Sequence, residues 1–187
     1  SVRGFGRIAL SVSLLAAALP AVAQTAASAA APEILPVPLQ PMVPAAQRQC
    51  SAKTASGLGT RLLKDAPGAK PAATDFVLVN YIGYLAADGK VFDQNVTQAF
   101  SAGGVIKGFS EGLQLMTKGS TWRFCIPAAL GYGDKGTGPI PANSDLVFQV
   151  ELVDFKTEAE VAAIRAQAEQ SAASSPDAQK PAGAPKN

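Results

Sequence analysis

Two short apolar motifs contain the residues of this chain that are best placed to do chemistry. Residues 105–109 (VIKGF) are typical of an apolar turn that leads into a short helix, and residues 129–133 (ALGYG) place Tyr132 between glycines at the end of a strand. The chain contains no histidine. A histidine general base and a histidine metal ligand are therefore excluded. What remains is chemistry that depends on the shape of an apolar pocket and on the removal of water from it.

The elements that must position these motifs are predicted mainly as strands. Residues 75–85 are rich in β-branched and aromatic residues, and apolar side chains alternate along residues 145–155. Residues 87–90 (ADGK) indicate a hairpin turn, because an Asp-Gly pair tolerates positive φ. A further strand is predicted over residues 120–126, which end before a proline.

One short amphipathic helix is predicted between the strands. Phe109, Leu113 and Met116 recur at helical spacing after Gly108 and would share one apolar face. Since strands precede and follow this helix in the chain, a twisted antiparallel sheet would wrap around it. The predicted fold class is therefore α+β.

The beginning of the chain is predicted to be a signal peptide over residues 1–23. Arg3 and Arg7 form a basic region, residues 8–19 are an apolar run, and residues 21–23 (AVA) are typical of a cleavage site. The apolar run is short for a membrane span, and an uncleaved anchor is the alternative. We therefore expect export to a periplasm, with secretion as the alternative, and no stable membrane anchor.

Composition divides the rest of the chain into three parts. Residues 24–49 are rich in alanine and proline, which predicts an extended linker, or less readily a recognition peptide. Residues 50–156 hold most of the aromatic residues and are long enough for one compact domain. Residues 157–187 are predicted to begin as a helix capped by Thr157 together with Glu160, and to end in a disordered tail.

Charge and cysteine content narrow the function classes. The formal net charge is +2, so no strong electrostatic field favours nucleic acid as a partner. The two cysteines, Cys50 and Cys125, are compatible with one disulfide in an oxidising compartment, but the sequence does not decide whether they pair. The alternative is that Cys125 is a small buried apolar residue of a strand. No metal-ligand cluster or nucleophile–base pair is visible, and no cofactor is expected.

Five motifs, in this order, resemble those of the FKBP-type peptidyl-prolyl cis-trans isomerases. They are residues 79–85 (VNYIGYL), 88–93 (DGKVFD), 105–113 (VIKGFSEGL), 126–133 (IPAALGYG) and 140–152 (IPANSDLVFQVEL). The resemblance covers roughly residues 51–155. It implies a half-barrel, in which a twisted antiparallel β-sheet wraps around one short α-helix and holds an apolar pocket against it.

The resemblance also implies which residues form the pocket. Phe109 would be its floor, where most members of the family have tryptophan. The backbone N–H of Ile106 would hold one substrate carbonyl and the Tyr132 hydroxyl another, while Asp93 would orient Tyr81. The implied catalytic residues are Tyr81, Phe92, Asp93, Phe109, Tyr132 and Phe148, and the implied substrate-binding residues are Val105, Ile106, Ile140 and Phe100.

Each of these residues also has a plain structural interpretation. Phe148 and Val105 could be ordinary core residues, and Asp93 could only cap a turn. The two tyrosines could be half-buried side chains whose hydroxyls have partners within the fold. The order and spacing of the whole set favour the functional interpretation.

The implied activity is peptidyl-prolyl cis-trans isomerisation during the folding of exported proteins, without a cofactor or a covalent intermediate. A dry aromatic pocket would favour the twisted amide of the transition state over the planar amide that water stabilises. The implied partners are unfolded or partly folded proteins with X-Pro bonds and macrolides such as rapamycin, and a monomer is expected. Two alternatives stay open: a holdase chaperone that binds peptides with little turnover, and a structural envelope protein tethered through its N-terminal region.

Overall fold

The structure, a computed structural model, describes residues 33–38 and 42–174. The regular elements in these residues are β1 (Ala52–Lys53), β2 (Gly59–Lys64), β3 (Phe76–Leu85), β4 (Val91–Ser101), α1 (Lys107–Leu115), β5 (Thr121–Ile126), β6 (Leu146–Lys156) and α2 (Glu158–Ala173). Two short 3₁₀ helices, Ala45–Arg48 and Ala128–Leu130, complete the described secondary structure.

The strands form one open antiparallel sheet in the order β1-β2-β5-β6-β3-β4. β3 and β6 pair along almost their whole length at the centre of the sheet, and β4 returns beside β3 through the predicted Asp-Gly turn. The α+β class and the half-barrel wrapped around a helix are confirmed. Because the fold pairs strands that are distant in the chain, residues from β3, β4 and β6 meet on one face of the sheet.

α1 packs on one face of the sheet, which we call the helix face. Phe109, Leu113 and Met116 are at most 4% exposed and belong to the main core, as their spacing predicts. A Cβ atom on Gly108 would lie 2.6 Å from Cγ2 of Ile126 in β5, so only glycine allows the helix to approach the sheet this closely. Alternate residues of β6 complete this core: Leu146, Phe148, Val150 and Leu152.

The opposite, outer face of the sheet is covered by an N-terminal strap, residues 33–38 and 42–49. Leu35 and Val43 of the strap are 6% and 2% exposed and pack against outer-face residues of the sheet. Those sheet residues are Ile82, Tyr84 and Val147. The prediction of a linker over residues 24–49 did not anticipate these contacts. A high content of proline and alanine indicates how stiff a segment is, and it does not indicate whether the segment packs on the sheet.

Buried polar side chains of the sheet hold the backbone of the strap. Gln149 accepts a hydrogen bond from Leu35 N at 2.7 Å and donates one to Leu35 O at 2.8 Å. Arg123, only 1% exposed, donates to the carbonyl oxygens of Glu33 and Gln49 at 3.0 and 3.1 Å. A buried polar group without a hydrogen bond lowers the stability of the fold, and these bonds give such groups their partners. The strap and the outer face therefore stabilise each other.

Tyr84, on the outer face of the sheet, also binds the strap. The Tyr84 hydroxyl donates a hydrogen bond to Gln47 O at 2.5 Å, and the side chain has no exposed surface. Burial raises the pKa of Tyr84 to about 12, although the positive charge of Arg123 acts in the opposite direction. Tyr84 is therefore a neutral donor at any physiological pH.

A disulfide joins Cys50, directly after the strap, to Cys125 in β5, with a Cα–Cα distance of 6.1 Å. The question that the sequence left open is thereby decided in favour of pairing. The bond links positions 75 residues apart and attaches the start of the domain to the sheet. A crosslink over a loop of this length restricts the unfolded chain strongly.

The chain continues from β6 into α2, whose first turn has the predicted cap. The Thr157 hydroxyl accepts from Glu160 N, and the Glu160 carboxylate accepts from Thr157 N at 2.7 Å. The Thr157 N–H and the Thr157 hydroxyl both donate to the Glu160 carboxylate, and these two hydrogen bonds lower the pKa of Glu160. None of the described helices has the length and apolar character needed to cross a bilayer. The predicted signal peptide, residues 1–23, and the end of the predicted tail, residues 175–187, lie outside the described residues.

Candidate functional site

The helix face of the sheet carries a cavity of about 610 Å³ between α1, the sheet and the loop that precedes β6. All ten residues that the sequence predicted for the site line this one cavity. They are Tyr81, Phe92, Asp93, Phe100, Val105, Ile106, Phe109, Tyr132, Ile140 and Phe148. Sequence reasoning missed the other lining residues, Gly104, Thr137, Gly138 and Pro139. The Gly-Pro dipeptide inside residues 134–139 is the signal that would have indicated a turn placed near the site.

Phe109 of α1 forms the floor of the cavity. Its ring is 4% exposed and meets Phe148 at a centroid distance of 4.9 Å and Tyr81 at 6.2 Å, both edge to face. Phe100 contacts the same ring at 6.1 Å. Edge-to-face packing is a preferred arrangement of aromatic pairs, so the neighbouring rings support the orientation of Phe109.

The walls of the cavity come from neighbouring strands whose register brings their aromatic residues together. Phe148 in β6 lies opposite Gly83 in β3, and Gly83 lies opposite Asp93 in β4. A Cβ on Gly83 would lie 2.6 Å from Cε1 of Phe148 and 2.8 Å from Cε2 of Phe92. The missing side chain of Gly83 therefore makes the room in which the two rings meet, at a centroid distance of 5.5 Å.

Tyr81 and Asp93 form the polar contact of the cavity wall. The Tyr81 hydroxyl donates a hydrogen bond to Oδ2 of Asp93 at 2.6 Å. Burial, followed by this hydrogen bond and the negative charge of Asp93, raises the pKa of Tyr81 above its usual range. Among the described residues, no lysine or arginine forms an ion pair with Asp93. The carboxylate therefore holds the tyrosine ring in place and keeps its proton on the hydroxyl.

The rim at the start of α1 offers a backbone donor. Ile106 is the residue before the first turn of α1, and this helix end has no side-chain cap. Within the described chain the Ile106 N–H donates to no acceptor, although the Ile106 carbonyl accepts from Ser110 N at 3.0 Å. Unpaired N–H groups at the start of a helix bind carbonyl oxygens and anions readily.

The opposite rim is a loop built around Tyr132 and Ile140. Thr137 and Ile140 exchange two backbone hydrogen bonds of 2.9 and 2.8 Å, and Asn143 N donates to Gly133 O at 2.8 Å, which braces the loop. Ile140 is 6% exposed, whereas Tyr132 is 40% exposed. The Tyr132 hydroxyl donates to no group of the described residues, so a ligand in the cavity can accept from it.

The site contains no arrangement for covalent or metal chemistry. In residues 33–38 and 42–174, no three Cys, Asp or Glu side chains come close enough together to hold a metal ion. A second cavity, of about 430 Å³, lies beside the disulfide and shares none of the aromatic residues of the first. What the aromatic cavity can do is enclose an apolar ring, exclude water from it, and bond two carbonyl groups at its rim.

The sequence matches the family model of the FKBP-type peptidyl-prolyl cis-trans isomerases over residues 68–153, a range that contains every cavity residue. The chain is 46% identical over 112 residues to the FKBP-type peptidyl-prolyl cis-trans isomerase FkpA of Aeromonas hydrophila. It is 47% identical over 107 residues to the FKBP-type 22 kDa peptidyl-prolyl cis-trans isomerase of Escherichia coli. These alignments cover 58% and 54% of this chain but only 41% and 52% of the relatives, so the chain spans about half of their length.

Solved structures agree with the sequence comparison. The crystal structure of a peptidyl-prolyl cis-trans isomerase from Pseudomonas syringae superposes with a TM-score of 0.54 at 38% identity. The superposition covers 57% of this chain and 80% of that protein. With the same fold, the same ordered motifs and this level of identity, the chain belongs to the family of FKBP-type peptidyl-prolyl cis-trans isomerases.

Proposed function

We propose that this protein catalyses the cis-trans isomerisation of X-Pro peptide bonds in the folding of exported proteins. The observation that carries the proposal is the aromatic cavity with two free hydrogen-bond donors at its rim. One is the N–H of Ile106 and the other is the hydroxyl of Tyr132. The relatives named above are isomerases by name, which supports the same activity here.

The chemistry requires no bond to be broken. Amide resonance gives the peptide bond a rotational barrier of about 18–20 kcal/mol, and an X-Pro bond isomerises in roughly 10–100 s without a catalyst. The twisted transition state has lost this resonance, and with it much of the polarity of the carbonyl. A site that excludes water therefore favours the twisted amide over the planar one, and each tenfold acceleration requires only about 1.4 kcal/mol.

Each group of the cavity has a part in this proposal. The proline ring would lie on Phe109 with Phe148 and Phe92 at its sides, because these rings form the apolar floor and wall. Ile106 N–H and the Tyr132 hydroxyl would each hold a carbonyl group of the peptide. These contacts fix one part of the peptide while the other part turns, which is a positioning effect.

A second candidate function is a holdase that binds prolyl or apolar segments with little turnover. The observation that favours it is Phe109, a smaller floor residue than tryptophan and one without a ring N–H. In this case the cavity would still bind peptides, but the twisted amide would gain no advantage over the planar one. Suppression of aggregation without acceleration of prolyl isomerisation would select this function.

We also propose that the protein acts outside the cytoplasm. The predicted signal peptide over residues 1–23 supports export, and the disulfide between Cys50 and Cys125 suits an oxidising compartment such as a periplasm. Its partners would be unfolded or partly folded exported proteins, and macrolides such as rapamycin would compete for the cavity. We expect it to act as a monomer.

A refolding-coupled and a protease-coupled assay of prolyl isomerisation, each with and without rapamycin, test the proposed activity. The oxidised protein is expected to accelerate isomerisation, and the macrolide is expected to remove that acceleration by filling the cavity. A folded protein that leaves the uncatalysed rate unchanged would contradict the proposal. If that protein still prevented the aggregation of an unfolded client, the holdase function would replace it.

The rate is expected to be nearly independent of pH between 6 and 8. The cavity holds no histidine, and the raised pKa of Tyr81 keeps its proton in place through this range. We expect kcat/KM to change by less than about twofold, since no proton is transferred in the reaction. A bell-shaped profile with a steep limb near neutrality, measured in the protease-coupled assay, would count against this mechanism.

Tyr132→Phe is expected to weaken the enzyme without inactivating it. The substitution removes one hydrogen bond to a carbonyl, worth about 0.5–1.5 kcal/mol, so kcat/KM should fall by roughly two- to tenfold. Tyr84→Phe is the matched control, because its hydroxyl bonds Gln47 O on the outer face. That control is expected to lower the free energy of unfolding and leave kcat/KM unchanged. If Tyr132→Phe and the wild type had equal kcat/KM, the Tyr132 hydroxyl would have no role in the mechanism.

A further inference from the structure

α1 carries a second stripe of residues, most of which lie outside the core. The stripe repeats at the spacing of one helix face and, with residues of the preceding turn, lines a groove of about 380 Å³. The groove residues are Gly103, Val105, Lys107, Ser110, Glu111, Gln114 and Leu115. The same helix therefore presents one face to the aromatic cavity and the core, and a different face to this groove.

The groove is continuous with the aromatic cavity. Val105 lines both of them, Gly104 lines the cavity, and Gly103 lines the groove. Two of these three neighbouring positions carry no side chain, and both glycines are exposed. An extended peptide whose proline lies in the cavity can therefore pass over this turn and enter the groove.

The length of the groove suits a short stretch of extended chain. Its helical residues run from Lys107 to Leu115, and a helix rises 1.5 Å per residue, so the stripe is about 12 Å long. An extended peptide advances about 3.3 Å per residue. The groove therefore has room for three to four residues on one side of the prolyl pocket, by the same estimate.

The polar groups of the groove are available to a ligand. Lys107 is exposed and has no carboxylate within ion-pair distance among the described residues. Gln114 donates from Nε2 to Ser110 O at 3.1 Å, but its carbonyl oxygen accepts no hydrogen bond from the described chain. Glu111 is different, because its Oε2 already accepts from Ser56 at 2.6 Å.

The outer face of this protein already holds an extended segment in a comparable way. There the amide of Gln149 bonds both the N–H and the carbonyl of Leu35, while the Leu35 side chain packs on apolar neighbours. In the groove, Gln114 supplies an amide of the same kind, and Val105 and Leu115 supply the apolar surface.

We propose that this groove is a second peptide-binding subsite, which takes the residues that flank the proline of an extended client and prefers an acidic residue beside Lys107. The proposal rests on the proposed isomerase function. Lys107 is the one cation among the groove residues and Glu111 is the one anion, so a carboxylate of the client would lie beside the Lys107 ammonium group and away from Glu111. The Gln114 carbonyl would accept from a client backbone N–H, which adds affinity without regard to sequence.

The test compares a tetrapeptide that fills only the prolyl cavity with fluorescein-labelled decapeptides that extend beyond it. The decapeptides carry Asp and Glu either before or after the X-Pro pair, and matched versions carry Asn and Gln. For one of the two placements, the acidic version is expected to bind the wild-type protein about two- to fivefold more tightly in fluorescence anisotropy. Lys107→Glu is expected to abolish or invert that preference, and Gln114→Ala to weaken both versions by about two- to fivefold.

Matched variants and the short peptide separate the possible failures. Lys70→Glu and Gln167→Ala change the same residue types at exposed positions away from both cavities and are expected to leave all affinities unchanged. kcat/KM on the tetrapeptide is expected to be equal in all of these proteins. If the acidic decapeptides of both placements bound the Lys107→Glu and Lys70→Glu proteins with equal affinity, the proposed subsite would be overturned. A wild-type protein without turnover on the tetrapeptide would instead overturn the isomerase function.

Discussion

Phe148→Ala is expected to reduce kcat/KM for X-Pro isomerisation by about 10- to 100-fold while the protein still folds. The Phe148 ring contacts Phe109 at 4.9 Å and Phe92 at 5.5 Å, so its loss opens the wall of the cavity to water. Burial of a phenylalanine side chain is worth about 1.5–3 kcal/mol, and each tenfold in rate corresponds to about 1.4 kcal/mol. The protease-coupled assay measures the loss, and rapamycin binding by calorimetry should weaken in parallel.

A matched variant distinguishes a damaged cavity from a damaged fold. Phe76→Ala removes the same ring from the far end of β3, where it does not line the cavity. Both variants are expected to lower the free energy of unfolding, because each removes apolar contacts. Only Phe148→Ala should lose activity under conditions where urea titration shows both proteins to be folded. Normal turnover by folded Phe148→Ala would show that the cavity assignment is wrong.

Loss of the disulfide is expected to produce the largest change in stability. The double variant Cys50→Ala/Cys125→Ala should unfold with a free energy about 2–4 kcal/mol lower than that of the oxidised wild type. The reason is that the crosslink closes a loop of 75 residues and removes many conformations from the unfolded chain. Tm is expected to fall by about 5–15 °C.

Activity should respond differently from stability to this change. Neither cysteine lines the aromatic cavity, so at 25 °C kcat/KM of the double variant is expected to stay within about twofold of wild type. Dithiothreitol serves as the control, since it should destabilise the wild type and leave the double variant unchanged. If thiol titration showed complete reduction of the wild type and its urea midpoint did not move, the disulfide would have no role in stability.

The cavity residues were predictable because they lie in short motifs, and the local pattern of each motif indicates which face of a strand or helix a residue occupies. The alternation along residues 145–155 assigned Phe148 and Val150 to one face of a strand, and both are in the main core. The helical spacing of Phe109 and Leu113 assigned them to one face of α1, which is also observed. The resemblance of the ordered motifs then indicated which of these residues share a cavity.

The outer face was less predictable, because its residues have partners in an irregular segment. The alternation along residues 145–155 places Gln149 on the face opposite the core, yet Gln149 is 4% exposed because Leu35 covers it. Arg123 is an unusual residue to find 1% exposed, and its partners are backbone carbonyl oxygens. Backbone groups are present at every position of a chain, so no residue pattern in the strap could reveal which of them the sheet would bind.

The sequence by itself determined the α+β class and the faces of β6 and α1, because periodicity and turn chemistry act over a few neighbouring residues, and the resemblance of its ordered motifs implied which residues line the cavity. Tertiary structure alone decided that Cys50 bonds Cys125 and that the strap covers the outer face. Each of these depends on positions that become neighbours only after β3, β5 and β6 have paired. Such proximity is a property of the folded chain and leaves no local signal in the sequence.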